Sequence, residues 1–94
     1  MSYRVRLLPG AVGDLERLPR FLDFKSPGAA ARSRQVLLQA IASLAEMPHR
    51  GRPAAVADAR ELVVPFGRDA YILRYRVRAD EVVVTRIRHS RERR

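Results

Sequence analysis

The segment Ala70-Tyr71-Ile72-Leu73-Arg74-Tyr75-Arg76-Val77-Arg78, and after Ala79-Asp80 the segment Glu81-Val82-Val83-Val84-Thr85-Arg86-Ile87-Arg88-His89, decide the fold. In the first, Tyr71, Leu73, Tyr75 and Val77 alternate with Ile72, Arg74, Arg76 and Arg78. A period of two belongs to a strand with one face buried. In the second, Arg86 and Arg88 share a face, with Ile87 and His89 on the other. The Ala79-Asp80 spacing is short enough for a hairpin.

The same grammar extends outward. Residues 60–65, Arg-Glu-Leu-Val-Val-Pro, read as a further strand joined through Gly67-Arg68-Asp69. At the N-terminus, residues 2–8 alternate Tyr3, Val5 and Leu7 with Arg4 and Arg6, which predicts another strand, ended by Pro9-Gly10. Between these lie two helical stripes. Residues 10–24 place Val12, Leu15, Leu18, Phe21, Leu22 and Phe24 at three- and four-residue spacing, with Pro19 expected to kink or split the helix. Ser26-Pro27 is a favourable helix start. From there Val36, Leu37, Ala40, Ile41 and Leu44 form a stripe running to Met47. Residues 48–59 read as a basic loop. The expected fold class is α+β with the order β-α-α-β-β-β, two N-terminal helices packed on one face of a small, mainly antiparallel sheet.

Length and composition bound the rest. Ninety-four residues fit a single domain, 1–94, and the 47% hydrophobic share is that of a globular chain. A chain this short has a small core, so a permanent partner would add stability. Without cysteine there are no disulfides, thiolate metal sites or cysteine nucleophiles, and His49 and His89 alone cannot build a four-ligand zinc centre. No cofactor or metal is expected. Apolar runs are too short to span a membrane, and the charged, alternating N-terminus is unlike a signal peptide, so the expected location is cytoplasmic. Nineteen basic residues against ten acidic ones give a net charge of +9, and every basic residue except Lys25 is arginine. The partner should therefore be acidic.

Glycine-rich phosphate loops, Gly-x-Ser-x-Gly and His-Glu-x-x-His are all absent. Asp80-Glu81 sits in a predicted turn and reads as solvated. What stands out is the density of arginine around one histidine on the last strands: Arg60, Arg74, Arg76, Arg86, Arg88, His89 and Arg91. Its bland reading is a solvated sheet face; its functional reading is a surface for an anionic partner.

Several blocks together resemble the ParE branch of the RelE/ParE toxin superfamily of bacterial type II toxin–antitoxin modules. They are Tyr3-Arg4-Val5, Ala11 with Asp14-Leu15, Ser26-Pro27-Gly28-Ala29-Ala30, Ile41 to Leu44 with Met47-Pro48 and Arg50-Gly51, Arg60-Glu61-Leu62-Val63-Val64, Tyr71 to Val77, and Val82 to Arg91. The resemblance implies a toxin that inhibits DNA gyrase by binding. It also implies a cognate antitoxin with a ribbon-helix-helix, ParD-like half, through which alone operator DNA would be met. A RelE-like, ribosome-dependent mRNA endoribonuclease is the alternative, with Arg60, His89 and Arg91 as its candidate residues, and a degenerate toxin that only binds its antitoxin is a third. Two departures favour the non-nuclease reading: residues 48–58 hold no lysine, and no terminal tyrosine is present. Arginine is a poor proton carrier, because its pKa exceeds about 12. The target surface is expected at Arg86, Arg88, His89 and Arg91. Antitoxin contacts are expected at Leu15, Leu18, Phe21, Leu22, Leu37 and Ile41, and at Arg74 and Arg76. Neither a membrane nor a small-molecule substrate is expected as a partner.

Overall fold

The structure, a computed structural model, describes residues 2–19 and 28–92. Strand β1 (Arg4–Leu7) leads into helix α1 (Pro9–Arg17) and helix α2 (Ala29–Ser43). Strands β2 (Arg52–Pro53), β3 (Arg60–Phe66), β4 (Asp69–Arg78) and β5 (Glu81–His89) follow. The five strands are ordered β1-β5-β4-β3-β2 in one sheet. Only β1 and β5 are parallel; the other pairs are antiparallel. The expected β-α-α-β-β-β frame is present, with one strand more. That strand, β2, lies inside the segment read as loop and pairs Arg52 with Glu61 and Pro53 with Arg60. Two residues are too few to carry any periodicity.

Alternation in β4 sorts the faces as the sequence implies. Tyr71, Leu73 and Tyr75 are buried inward with Val82, Val84 and Ile87 of β5, beneath Leu37 and Ile41 of α2, Leu44 at its C-cap, and Ala11 and Leu18 of the α1 segment. Three buried hydroxyls are satisfied: Ser33 Oγ donates to Tyr71 Oη at 2.8 Å, and Tyr75 Oη accepts the Gly51 N–H at 2.8 Å. On β5 the pairing slips at one point. Arg74 faces Arg86 while Tyr75 faces Val84, so Thr85 is an extra residue, its hydroxyl donating to the Arg74 carbonyl at 3.2 Å. This bulge keeps Val82, Val84 and Ile87 all inward although their spacing is not a uniform two.

The helix bounds in the described residues differ from those the stripes imply. Helix α1 ends at Arg17, with Leu18 and Pro19 in a tighter turn, as expected from the proline; residues 20–24, including Phe21 and Leu22, lie outside the described residues. Helix α2 starts at Ala29 after Gly28, which holds a left-handed φ of 81° and gives no side-chain cap. Ser26 and Pro27, expected at this start, lie outside the described residues. The helix stops at Ser43, four residues before Met47, in a turn where the Leu44 N–H bonds back to Ile41 O and Ala42 O. Among the described residues no helix is long and apolar enough to cross a membrane.

Strand β1 covers β5 only as far as Val84. Beyond it the free edge of β5 meets α1, and Asp14 accepts the Ile87 N–H at 2.8 Å. A helix side chain thus satisfies a backbone donor where the sheet ladder runs out.

Candidate functional site

The outer face of the sheet carries the arginines. Arg74, Arg86 and Arg88 line a cleft of about 120 Å³ around Ile72. Arg74 and Arg86 are directly opposed across β4 and β5, which costs energy unless each charge is balanced. The balance comes from the rims. Arg74 Nη2 donates to Glu61 at 3.0 Å, and Arg86 reaches round the edge to Asp14 through Nε at 2.8 Å and Nη2 at 3.1 Å. Arg88 has no ion pair among the described residues, and the buried Arg76 Nε has no hydrogen-bond partner there. Sequence-predicted target residues (Arg86, Arg88) and antitoxin residues (Arg74, Arg76) therefore share one face.

Asp14 is the electrostatic centre of this rim, at 3% exposure. Burial alone would raise its carboxyl. Hydrogen bonds from Arg86, the Ile87 N–H and Arg17, with the charge of Arg86, outweigh burial and hold it below its ordinary value. The Arg86 guanidinium is pushed up in turn, first by its hydrogen bond to Asp14. Sequence reading gave Asp14 no such role. The available signal was an acid set among Ala11, Leu15 and Leu18 on the helix stripe.

His89 turns inward at the end of β5. Its ring meets Tyr71 edge-on at 5.4 Å, and its Nδ1 accepts the Arg91 N–H at 3.2 Å. The Nε2 lies 3.9 Å from Asp69 Oδ2, beyond hydrogen-bond distance. Arg91 Nε donates to Asp69 Oδ1 at 2.9 Å. Residues 90–92 fold back as a turn: the Ser90 N–H donates to Ala70 O at 2.8 Å, and Glu92 accepts from the His89 N–H at 2.8 Å and from Arg17 Nη1 at 3.0 Å.

Arg60 lies elsewhere. It stands opposite Tyr75 on β4, whereas His89 stands opposite Tyr71. Those positions are four residue steps apart, about 13 Å along β4 alone. The Arg60 guanidinium is spent on the α2–β2 loop, donating to Gly51 O at 2.7 Å and His49 O at 3.3 Å. It also lines a basic cavity of about 450 Å³ with His49, Asp58, Val77, Arg78 and Ala79. Arg60 is not brought together with His89 and Arg91.

Leu18, Leu37 and Ile41 are buried in the core, and Leu15 packs partly against it. The apolar side chain that α2 does expose is Leu38, in a shallow groove with Ala31, Arg34 and Ala42 that the stripe reading passed over. Among the described residues no group of three acids and histidines could hold a metal ion.

A family model described as ParE toxin of the type II toxin–antitoxin system parDE matches residues 5–94. The chain is 44% identical over 90 residues to Toxin RelE3 of Caulobacter vibrioides, covering 96% of this chain and 97% of that one. Toxin RelE1 of the same organism is 42% identical over 94 residues, covering 100% of both. Among solved structures, the chromosomal ParDE system of P. aeruginosa superimposes with a TM-score of 0.78 at 21% identity, over 94% of this chain and 96% of that one. The intact E. coli RelBE toxin–antitoxin complex gives 0.69 at 17% identity, over 98% and 100%. At such identities the likeness concerns the fold.

Proposed function

The chain belongs to the ParE toxin family of type II toxin–antitoxin systems, and from that premise we propose that it arrests growth in the cytoplasm by binding DNA gyrase and blocking replication, until a cognate acidic, ParD-like antitoxin neutralises it. The observation that carries this reading is the separation of Arg60 from His89 and Arg91. RNA cleavage needs a base, an acid and cations on one phosphate. Here the candidate groups stand at different places on the sheet, and Arg60 is committed to a loop. A binding poison needs only a surface. Arg86 and Arg88 supply one on the outer face of the last strand, with His89 at its inward-turned end and Arg91 in the turn that follows. Arg74 and Arg76, proposed to hold the antitoxin, lie on the same face as Arg86 and Arg88, so that neutralisation works by covering them.

The relatives named RelE keep a second reading in view, that of a ribosome-dependent nuclease, and the basic cavity at His49, Arg60 and Arg78 favours it. One pair of assays separates the two. Purified toxin is incubated with gyrase and supercoiled DNA, and with translating ribosomes. Gyrase-dependent cleaved DNA and intact message are expected. Codon-positioned RNA cuts that vanish on His89→Ala would reverse the assignment.

A further inference from the structure

We propose that Arg17, on α1, is a positioning residue for the target surface, acting through Glu92 to hold the turn that follows β5. The inference rests on the reading that this turn meets the target. Residues 90–92 lie past the end of β5 at His89, so no regular strand ladder holds them. The turn is pinned from two sides instead. On the β4 side, Ala70 exchanges two hydrogen bonds with Ser90, and Asp69 takes Arg91. On the other side a carboxylate, Glu92, is bonded at once to the His89 N–H and to Arg17.

Arg17 is itself fixed. Its Nη2 lies 3.3 Å from Asp14 Oδ1 while its Nη1 lies 3.0 Å from Glu92 Oε2, so one planar guanidinium bridges two carboxylates. Asp14 in turn grips Arg86 and the Ile87 N–H. A continuous relay therefore runs from Arg86 through Asp14, Arg17 and Glu92 to the backbone of His89. It joins both ends of the proposed target surface to one helix. The Arg17–Glu92 pair is partly solvated, with side chains 39% and 28% exposed. A pair of that kind contributes little to global stability. Its consequence is local: it sets where the turn, and Arg91 with it, stands relative to Arg88. Lysine would bridge the two carboxylates less well, because an ammonium is a point charge without the planar fork.

The test uses Arg17→Ala, Glu92→Gln and Arg17→Lys, with Glu16→Ala, an exposed neighbour on the same helix, as control. Gyrase inhibition and growth arrest are both read, with melting temperature and amide exchange of His89. Arg17→Ala and Glu92→Gln should raise the half-inhibitory concentration at least tenfold and speed His89 exchange at least tenfold, at an almost unchanged melting temperature. Arg17→Lys should fall between these variants and wild type, and Glu16→Ala should match wild type. Wild-type potency in Glu92→Gln, or unaltered His89 exchange, overturns the proposal. Should Arg17→Ala fail to fold, Glu92→Gln carries the test, since its side chain lies outside the core. A wild-type chain that arrests growth without touching gyrase refutes the target instead, and Arg17 is then judged on growth arrest alone.

Discussion

Asp14 Oδ2 accepts the backbone N–H of Ile87 at 2.8 Å across 73 residues of sequence. The contact fastens α1 to the stretch of β5 that β1 leaves open, and it gives the Arg86 guanidinium its counter-charge. One buried carboxylate thereby serves a sheet edge and a charged surface together.

Loss of that carboxylate should be felt in the pH dependence of stability. The folded Asp14 carboxyl titrates below its unfolded value, so its contribution is complete above about pH 5 and fades as the pH falls through the folded value. Asp14→Asn should lower stability by about 2–3 kcal/mol at pH 7, because Arg86 loses its partner beside a buried site. The difference from wild type should shrink below about pH 4. Urea unfolding at pH 7 and pH 3 measures both; equal differences at the two pH values would refute the assignment.

Gly51 admits no side chain. A Cβ there would lie 2.6 Å from Tyr75 Oη and 2.9 Å from Glu61 O. Gly51→Ala should destabilise the chain by about 1–3 kcal/mol through overpacking. Tyr75→Phe should do so by a similar amount, by leaving the buried Gly51 N–H without an acceptor. Thermal melts would show each as a drop of roughly 5–20 °C in a domain of this size.

Arg88→Ala with Arg91→Ala should abolish growth arrest while the fold survives. Arg91 is an exposed partner of Asp69, Arg88 has no ion pair among the described residues, and such substitutions shift stability by about 0.5 kcal/mol or less. Leu37→Ala is the contrast: it empties a fully buried position and should cost about 2–5 kcal/mol. Circular dichroism and plating after induction distinguish the two. A folded double variant that is still fully toxic would move the target surface away from the final strand.

The proposed acidic antitoxin should raise the melting temperature by mass action. Partner present at a hundredfold its Kd adds about 2.7 kcal/mol, or roughly 10–20 °C here. The gain should fall with added salt, because Arg74, Arg76 and Arg88 lie on a partly solvated face where screening acts. A melting temperature indifferent to partner would argue against the proposed neutralisation.

Alternation along each strand already assigns the two faces of the sheet, and with them the face that carries arginine. In β4 the alternation of Tyr71, Leu73 and Tyr75 with Arg74, Arg76 and Arg78 survives folding, because a strand's side chains must point to opposite sides. The apolar stripe of α2 was legible for the same reason: Leu37, Ile41 and Leu44 recur at the helical period and are all buried. The remaining features arise from pairing between distant segments. Val82, Val84 and Ile87 share a face through the bulge at Thr85, a shift of phase that arises from pairing with β4 and is invisible in β5 alone. The strand at Arg52–Pro53 exists through its pairing with Arg60 and Glu61, since two residues have no period of their own. Arg60 reads as one of a cluster with His89 and Arg91, yet strand register sets it apart from them. Nothing local to Asp14 or Glu92 names their partners, which lie 72 and 75 residues away at Arg86 and Arg17. Periodicity is a local property that each segment carries, whereas register and the destinations of charged side chains depend on which segments the completed fold brings side by side.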